Sequence, residues 1–304
     1  MKKLALVLAA GMVAGQVLAG SFQAKMVSDS ARWVVHADLE LLKQTTVGSF
    51  LVNQLDAGDT GNKMAALSAI LQFDPRKDLT GVTMYGQSRE PSAAVAVFSG
   101  TFNVPQLVTL LKANPSYESA AHGGNTIHSW VDEKKPGERS YGCAHSGKIL
   151  IGQGLPMLKE ALDVLDGKHA ALDAAASFGE LPVKEPFFMA GTDLPGLVGK
   201  SEAQMLSQAK SVGMALGEKD GQVLLSVILS TLDAETAVKL QQIAQGLLAM
   251  GQMNQEKEPE LAALLQAAQV TVNGTQVKLN AAYPSEKIVT LIQQKMKGPP
   301  LPVH

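Results

Sequence analysis

The chain predicts an α+β fold: a duplicated unit of mainly antiparallel sheet with helices packed on one face. Three observations lead there. A strand–turn–strand–helix stretch at residues 82–112 has a counterpart 130 residues later, at 212–242. Short turns rich in Gly, Asn and Asp separate most apolar runs, which favours hairpins and so antiparallel pairing. Helical stripes of apolar residues follow the strand pairs and give each sheet something to bury against.

In the first copy, residues 82–86 and 93–99 read as strands around the polar turn 87–92. Asn103 is a good N-cap, and Gln106, three residues on, can return the bond in a capping box. Pro105 falls in the first turn, where its missing N–H costs little. Val104, Leu107, Val108 and Leu111 make one apolar stripe. In the second copy, residues 217–221 are the turn, ending in Asp220-Gly221. Residues 223–230 are the second strand, Asp233 is the N-cap, and Ala237, Leu240, Ala244 and Leu247 continue the stripe. Aligned without gaps the copies share six identities, Val97/Val227 among them, and the aligned caps and turns are the stronger sign.

Residues 1–19 read as a signal peptide. Lys2 and Lys3 form the charged start, residues 4–18 the apolar stretch, and Val17 and Ala19 the small residues before a cut ahead of Gly20. No cysteine at the cut makes a lipoprotein, and no later run is long and apolar enough to span a bilayer. Loss of the two lysines takes the net charge from −2 to −4, which argues against nucleic acid. The address implied is periplasmic or secreted. The single Cys143 cannot form an internal disulfide and reads as a buried thiol in a strand.

The first repeat covers residues 28–167. It opens on a strand at 32–39, then a helix at 41–55 with Leu42, Val47, Phe50, Leu51 and Leu55 available for burial. A break at 56–63 precedes a helix at 64–73, which Asp74-Pro75 stops. After the repeated unit come hairpins around Gly123-Gly124 and Ser146-Gly147, a charged turn at Lys135-Pro136-Gly137, and a helix at 155–165. Residues 168–186 read as a linker. The second repeat, 187–297, opens on a strand at 187–194, with Asp193-Leu194 matching Asp38-Leu39. A helix at 202–210 precedes its repeated unit, which runs on to about 252. A helix at 259–268, a hairpin turning at Asn273-Gly274, and a helix at 285–296 follow. The tail, 298–304, is rich in proline and extended.

No catalytic or cofactor motif survives inspection. Gly199-Lys200-Ser201 lacks the earlier phosphate-loop glycine, since Leu194 stands there, and Met157 replaces the third glycine after Gly152-Gln153-Gly154. There is no Gly-x-Ser-x-Gly, and two Trp and four Tyr are few for a sugar cleft. His36 and Asp38 share a face of one strand, as do His128, Trp130 and Asp132. If the strands at 33–39, 126–131 and 141–145 were neighbours, His36, His128 and His145 could converge on a metal or serve a hydrolase. Six methionines of the second half, Met205 and Met250 among them, allow a groove for a peptide or acyl chain.

Residues 32–39 (Arg-Trp-Val-Val-His-Ala-Asp-Leu), 78–83 (Asp-Leu-Thr-Gly-Val-Thr) and 126–130 (Thr-Ile-His-Ser-Trp) resemble exported bacterial proteins of unknown function. The resemblance covers most of the chain after the leader and implies an envelope or secreted location, with no assigned site residues. The leading expectation is a non-enzymatic binding or interaction protein of the bacterial envelope. Its partner would be a protein, a peptide or a small apolar ligand, with no cofactor. The alternative is a metal-dependent or serine hydrolase using His36, His128 and His145.

Overall fold

The computed structural model describes residues 20–132, 137–173, 177, 186–193, 209–253 and 259–296. The expected signal peptide, most of the expected linker, Gly199-Lys200-Ser201, Met205 and the proline-rich tail lie outside them. The first part of the chain runs β1 (Trp33–Asp38), α1 (Leu39–Gln44), α2 (Thr46–Asp56), α3 (Gly58–Leu71), α4 (Pro75–Asp78), β2 (Leu79–Gly86), β3 (Ala94–Gly100), α5 (Val104–Lys112), β4 (Glu118–His122), β5 (Asn125–Val131), β6 (Arg139–His145), β7 (Lys148–Gly152) and α6 (Leu155–Leu165). The second runs β8 (Phe188–Asp193), β9 (Ala209–Lys219), β10 (Gln222–Thr231), α7 (Ala234–Gln252), α8 (Pro259–Gln266), β11 (Gln269–Asn273), β12 (Gln276–Pro284) and α9 (Ser285–Met296).

The twelve strands form one sheet, in the order β11-β12-β10-β9-β8-β1-β2-β3-β7-β6-β5-β4. Every pairing is antiparallel. The chain is thus a mixed α+β protein. Its two halves meet where β1 pairs with β8. Outwards from that pair, β1-β2-β3-β7-β6 and β8-β9-β10-β12-β11 succeed one another in the same order along the chain, and β5 and β4 extend the first side. Gly81 pairs with Asp38 and with Ser99, while Ser211 pairs with Asp193 and with Ser230. Both strand pairs also break register at the neighbouring position, between Leu79 and Gly81 and between Ser230 and Thr231. The offset is 130 on β9 but 131 on β10, so Val97 corresponds in register to Ile228 rather than to Val227. Both are buried.

Helices lie on both faces of this sheet, not on one. α6 buries Leu158, Ala161 and Leu162 against Val34, Tyr85, Val97, Ile127 and Leu150. A buried leucine contributes about 1.5–3 kcal/mol. Residues 26–31 and Leu172 close this layer, through Leu172 N–H donating to Val27 O at 2.8 Å. Ser28, Ser30 and Gln87 donate to the Glu160 carboxylate and tie the lead segment to α6. α7 buries Ala237, Leu240, Ala244 and Leu248 against Leu229, Val270, Val277 and Leu279. Cross-strand partners share a face. Tracing the register from Leu279 through Val227, Met214, Ala190, Val35, Met84, Ala96 and Ile151 therefore places α7 on the face opposite α6.

Capping residues set most helix starts. Asp38 accepts from Leu41 N–H, Thr45 from Gly48 N–H, Asp74 from Arg76 N–H and Asp233 from Thr236 N–H. Thr45 also splits the expected helix at 41–55, because its hydroxyl donates to Leu42 O while its backbone turns extended. Leu55 at the end of α2 is exposed. Asn103 caps α5, but Gln106 does not complete a capping box; its amide donates to Ile70 O and joins α5 to α3. α3 starts at Gly58, inside the expected break, and ends where Gln72 turns left-handed.

The turns refine the pattern. Asp220-Gly221 and Ser146-Gly147 hold both central residues at positive φ, which matches the twist of a two-residue hairpin. β9 therefore runs on to Lys219, through residues expected in the turn, and it begins at Ala209, where the helix at 202–210 was expected to end. In β11–β12 the loop is Gly274-Thr275, one residue later than expected. Gly274 takes the positive φ at the first loop position, so Asn273 stays in the ladder.

The phase of α7 differs too. Leu247 was expected in the buried stripe, but it is exposed and Leu248 packs instead. Leu240→Ala should lower unfolding stability by about 2–5 kcal/mol, and Leu247→Ala should stay within about 0.5 kcal/mol of the parent, by urea denaturation. The reverse order would place the buried stripe of α7 wrongly.

Candidate functional site

One concave surface crosses the middle of the sheet on the α7 face. Trp33 and Val35 of β1, Ala190 and Thr192 of β8, Met214 of β9 and Val227 of β10 line a trough of about 560 Å³. The sequence places it there through a reversal of the usual alternation. β9 turns Ala209, Ser211, Gly213 and Ala215 to its buried side and leaves the larger Val212 and Met214 partly exposed, where they line the trough. β1 does the same: Val34, His36 and Asp38 are buried, while Trp33 and Val35 reach the trough. Trp33 Nε1–H donates to Ser88 O at 2.8 Å and fixes the β2–β3 loop at the rim. Gly86 is needed for this, since a Cβ there would lie 2.9 Å from the indole. Among the described residues Arg89 of that loop is the one charged residue lining the trough.

A second apolar recess of about 400 Å³ lies on the same face beneath α5, lined by Leu107, Leu111, Trp130, Ile149 and Ile151. His128 is its polar corner, at 2.9 Å from the Tyr117 hydroxyl. Burial, helped by the nearby Lys112 charge, holds His128 below the usual histidine range. Apolar side chains are exposed on other helices as well. Ile243, Leu247 and Met250 form a second stripe on α7, and Leu67 and Ile70 are exposed on α3. Isolated exposed leucines are ordinary; a helix with two apolar stripes is not. The groove expected between helices around Met205 and Met250 is not testable as such, because Met205 lies outside the described residues.

The strand histidines do not converge. β2, β3 and β7 separate β1 from β6, and β6 itself separates them from β5. His36 also lies on the α6 face and His128 on the α5 face. His145 instead bridges Asn125 at 2.8 Å and Asp166 at 3.1 Å. No group of three or more His, Cys, Asp or Glu side chains suited to a metal occurs among the described residues. His128 and Trp130 do share a face of β5 and reach the recess, whereas Asp132 lies past the end of the strand.

His36 is buried, with Nδ1 at 2.9 Å from Thr83 Oγ1 and Nε2 without a partner. Burial pushes it down to about 4, against a smaller opposing pull from the Gly20 backbone. A neutral imidazole sealed from solvent cannot serve an external substrate as a base. Cys143 is buried as expected, and burial pushes its thiol up to about 11, so it is no thiolate nucleophile at neutral pH.

The buried histidine has a measurable consequence. Unfolded, His36 takes a proton near 6.5; folded, only near 4. The unfolded state therefore binds more protons between those values, so stability falls as pH drops through that window and levels below it. Between pH 7 and pH 4.5 this amounts to roughly 2–3 kcal/mol. His36→Gln should lose that much less stability over the same interval in urea titrations. Equal losses would show that the imidazole takes up protons in the folded chain.

No family model matches the chain, and no curated protein sequence matches it. Crystal structures of TP0453 are similar in overall course. Crystal form III has a TM-score of 0.49 at 9% identity over 91% of this chain and 99% of that one. Crystal form I has 0.46 at 10% over 91% and 98%, and crystal form IV 0.49 at 8% over 90% and 97%.

Proposed function

We propose that the chain is an exported, non-enzymatic binding protein of the bacterial envelope, and that it takes the apolar chain of an amphiphile in the trough across β1, β8, β9 and β10. Export rests on the charged start, apolar stretch and small residues that precede Gly20. The matching strand order, offsets and register break of the two halves support reading the chain as an internal duplication. The observation that carries the binding reading is the trough itself. Its volume falls in the range of small-ligand sites and its floor is apolar. No helix among the described residues is long and apolar enough to cross a membrane.

Among the described residues the trough lining holds no His, Asp, Glu, Cys or Ser, and an apolar lining suits binding of an apolar chain. A fluorescent fatty acid is the probe of choice. The chain starting at Gly20 should bind it with saturation, and Ala190→Trp, which sets an indole into the floor, should weaken it on the order of tenfold, about 1.4 kcal/mol. Unchanged affinity in a folded variant would remove the trough as the site.

A further inference from the structure

We propose that cleavage before Gly20 creates an N-terminal ammonium that is buried against Asp38, so that removal of the leader completes the centre of the fold. The inference rests on the signal-peptide reading and goes beyond it by giving the new terminus a partner. Gly20 is buried, in contact with the end of β1 and the start of β2. A Cβ on Gly20 would overlap both Thr80 O and Asp38 Oδ1, and a Cβ on Gly81 would come within 2.6 Å of Gly20 O. Glycine is thus the residue that fits at position 20, and its nitrogen is one bond from the Cα that packs on Asp38.

The surroundings are built for a cation. Asp38 is 1% exposed, and Leu41 N–H donates to its Oδ1 at 2.9 Å. Burial first, and the Glu40 charge in addition, push its carboxyl above the usual range, while N–H donors from Leu41 and Glu40 oppose this. His36 Nε2, Thr80 Oγ1 and Glu40 Oε2 are all buried without a hydrogen-bond partner. His36 stands two residues before Asp38 on the same face of β1, and Thr80 is the residue whose carbonyl meets Gly20. A buried carboxylate lacking a counter-charge and several polar atoms lacking partners are each costly. An ammonium brings one positive charge and three N–H donors to this place.

The chemistry balances. A signal peptidase hydrolyses the Ala19–Gly20 amide; water supplies the hydroxyl of the Ala19 carboxyl and a hydrogen to the Gly20 amine. The carboxyl then gives up its proton and the amine takes one, leaving –COO⁻ on the leader and –NH₃⁺ on Gly20. Before cleavage the same nitrogen is a neutral amide with one N–H, so the unprocessed chain keeps an uncompensated Asp38 and is less stable.

Two chains test this: residues 20–304 released from a fusion partner by a protease that leaves Gly20 first, and the same chain with Leu18-Ala19 retained. In the first, reductive methylation of the Gly20 amine should be slower in the folded than in the denatured chain by a factor on the order of 100. Its melting temperature should also exceed that of the extended chain, and Asp38→Asn should abolish both differences. If Asp38→Asn does not fold, the methylation rate and the extension comparison in the parent sequence decide alone. A Gly20 amine that labels at the denatured rate, or an extension that leaves the melting temperature unchanged, overturns the proposal. Failure of the export reading shows separately, as an intact mass from periplasmic extract that does not begin at Gly20.

Discussion

The β1–β8 pairing is the contact on which the rest of the structure depends. Without it the chain would hold two smaller sheets, each with a six-residue edge strand open to wrong partners. With it, both edges disappear into the middle of a twelve-stranded sheet. A backbone hydrogen bond closes each end of the pairing: Arg32 O accepts from Asp193 N–H, and Asp38 N–H donates to Phe187 O. Glu218 adds a tie from the second half. Burial would raise its carboxyl, but the Thr46 side chain and the N–H donors of Thr46 and Val47 at the start of α2 outweigh that and hold it below the usual range. A carboxylate at a helix N-terminus is favourably placed for the same reason.

Local punctuation was readable and long-range consequences were not. The hairpins at Gly123-Gly124, Ser146-Gly147 and Asp220-Gly221 stand where the residues announce them, because left-handed φ is a property of a few residue types. Asn273-Gly274 misled by one position, since Gly-Thr satisfies a two-residue loop as well as Asn-Gly does. The phase of α7 failed for a related reason. Leu247 and Leu248 are both apolar, so spacing alone could not say which one faces the sheet. Convergence of His36, His128 and His145 needed a strand order that no local pattern contains, and β2, β3 and β7 stand between them.

The trough was hidden by the rule that large apolar residues mark the core. In β9 that rule selects Val212 and Met214, yet the small Ala209, Ser211, Gly213 and Ala215 are the buried set. The signal was present as an alternation of small and large residues rather than of polar and apolar ones. Such a strand presents a smooth, tightly covered side and a bulky, open one. The same logic explains why the correspondence of the two halves was easier to see in caps and turns than in identities: Val97 and Ile228 occupy matching register positions with different side chains.

The distribution of polarity across β1 bears on function. On one side stand His36, Asp38 and their neighbour Thr83, the groups that chemistry would need, and all are sealed. On the other stand Trp33 and Val35, which chemistry does not need, and they line open space. An enzyme has the opposite requirement: its titratable groups must reach the substrate, and its apolar residues shape the walls around them. A binding protein for an apolar chain needs only the second feature, a rigid apolar floor whose shape is set elsewhere. In this chain the apolar floor at Trp33 and Val35 is backed by the buried polar strip on the opposite face of β1.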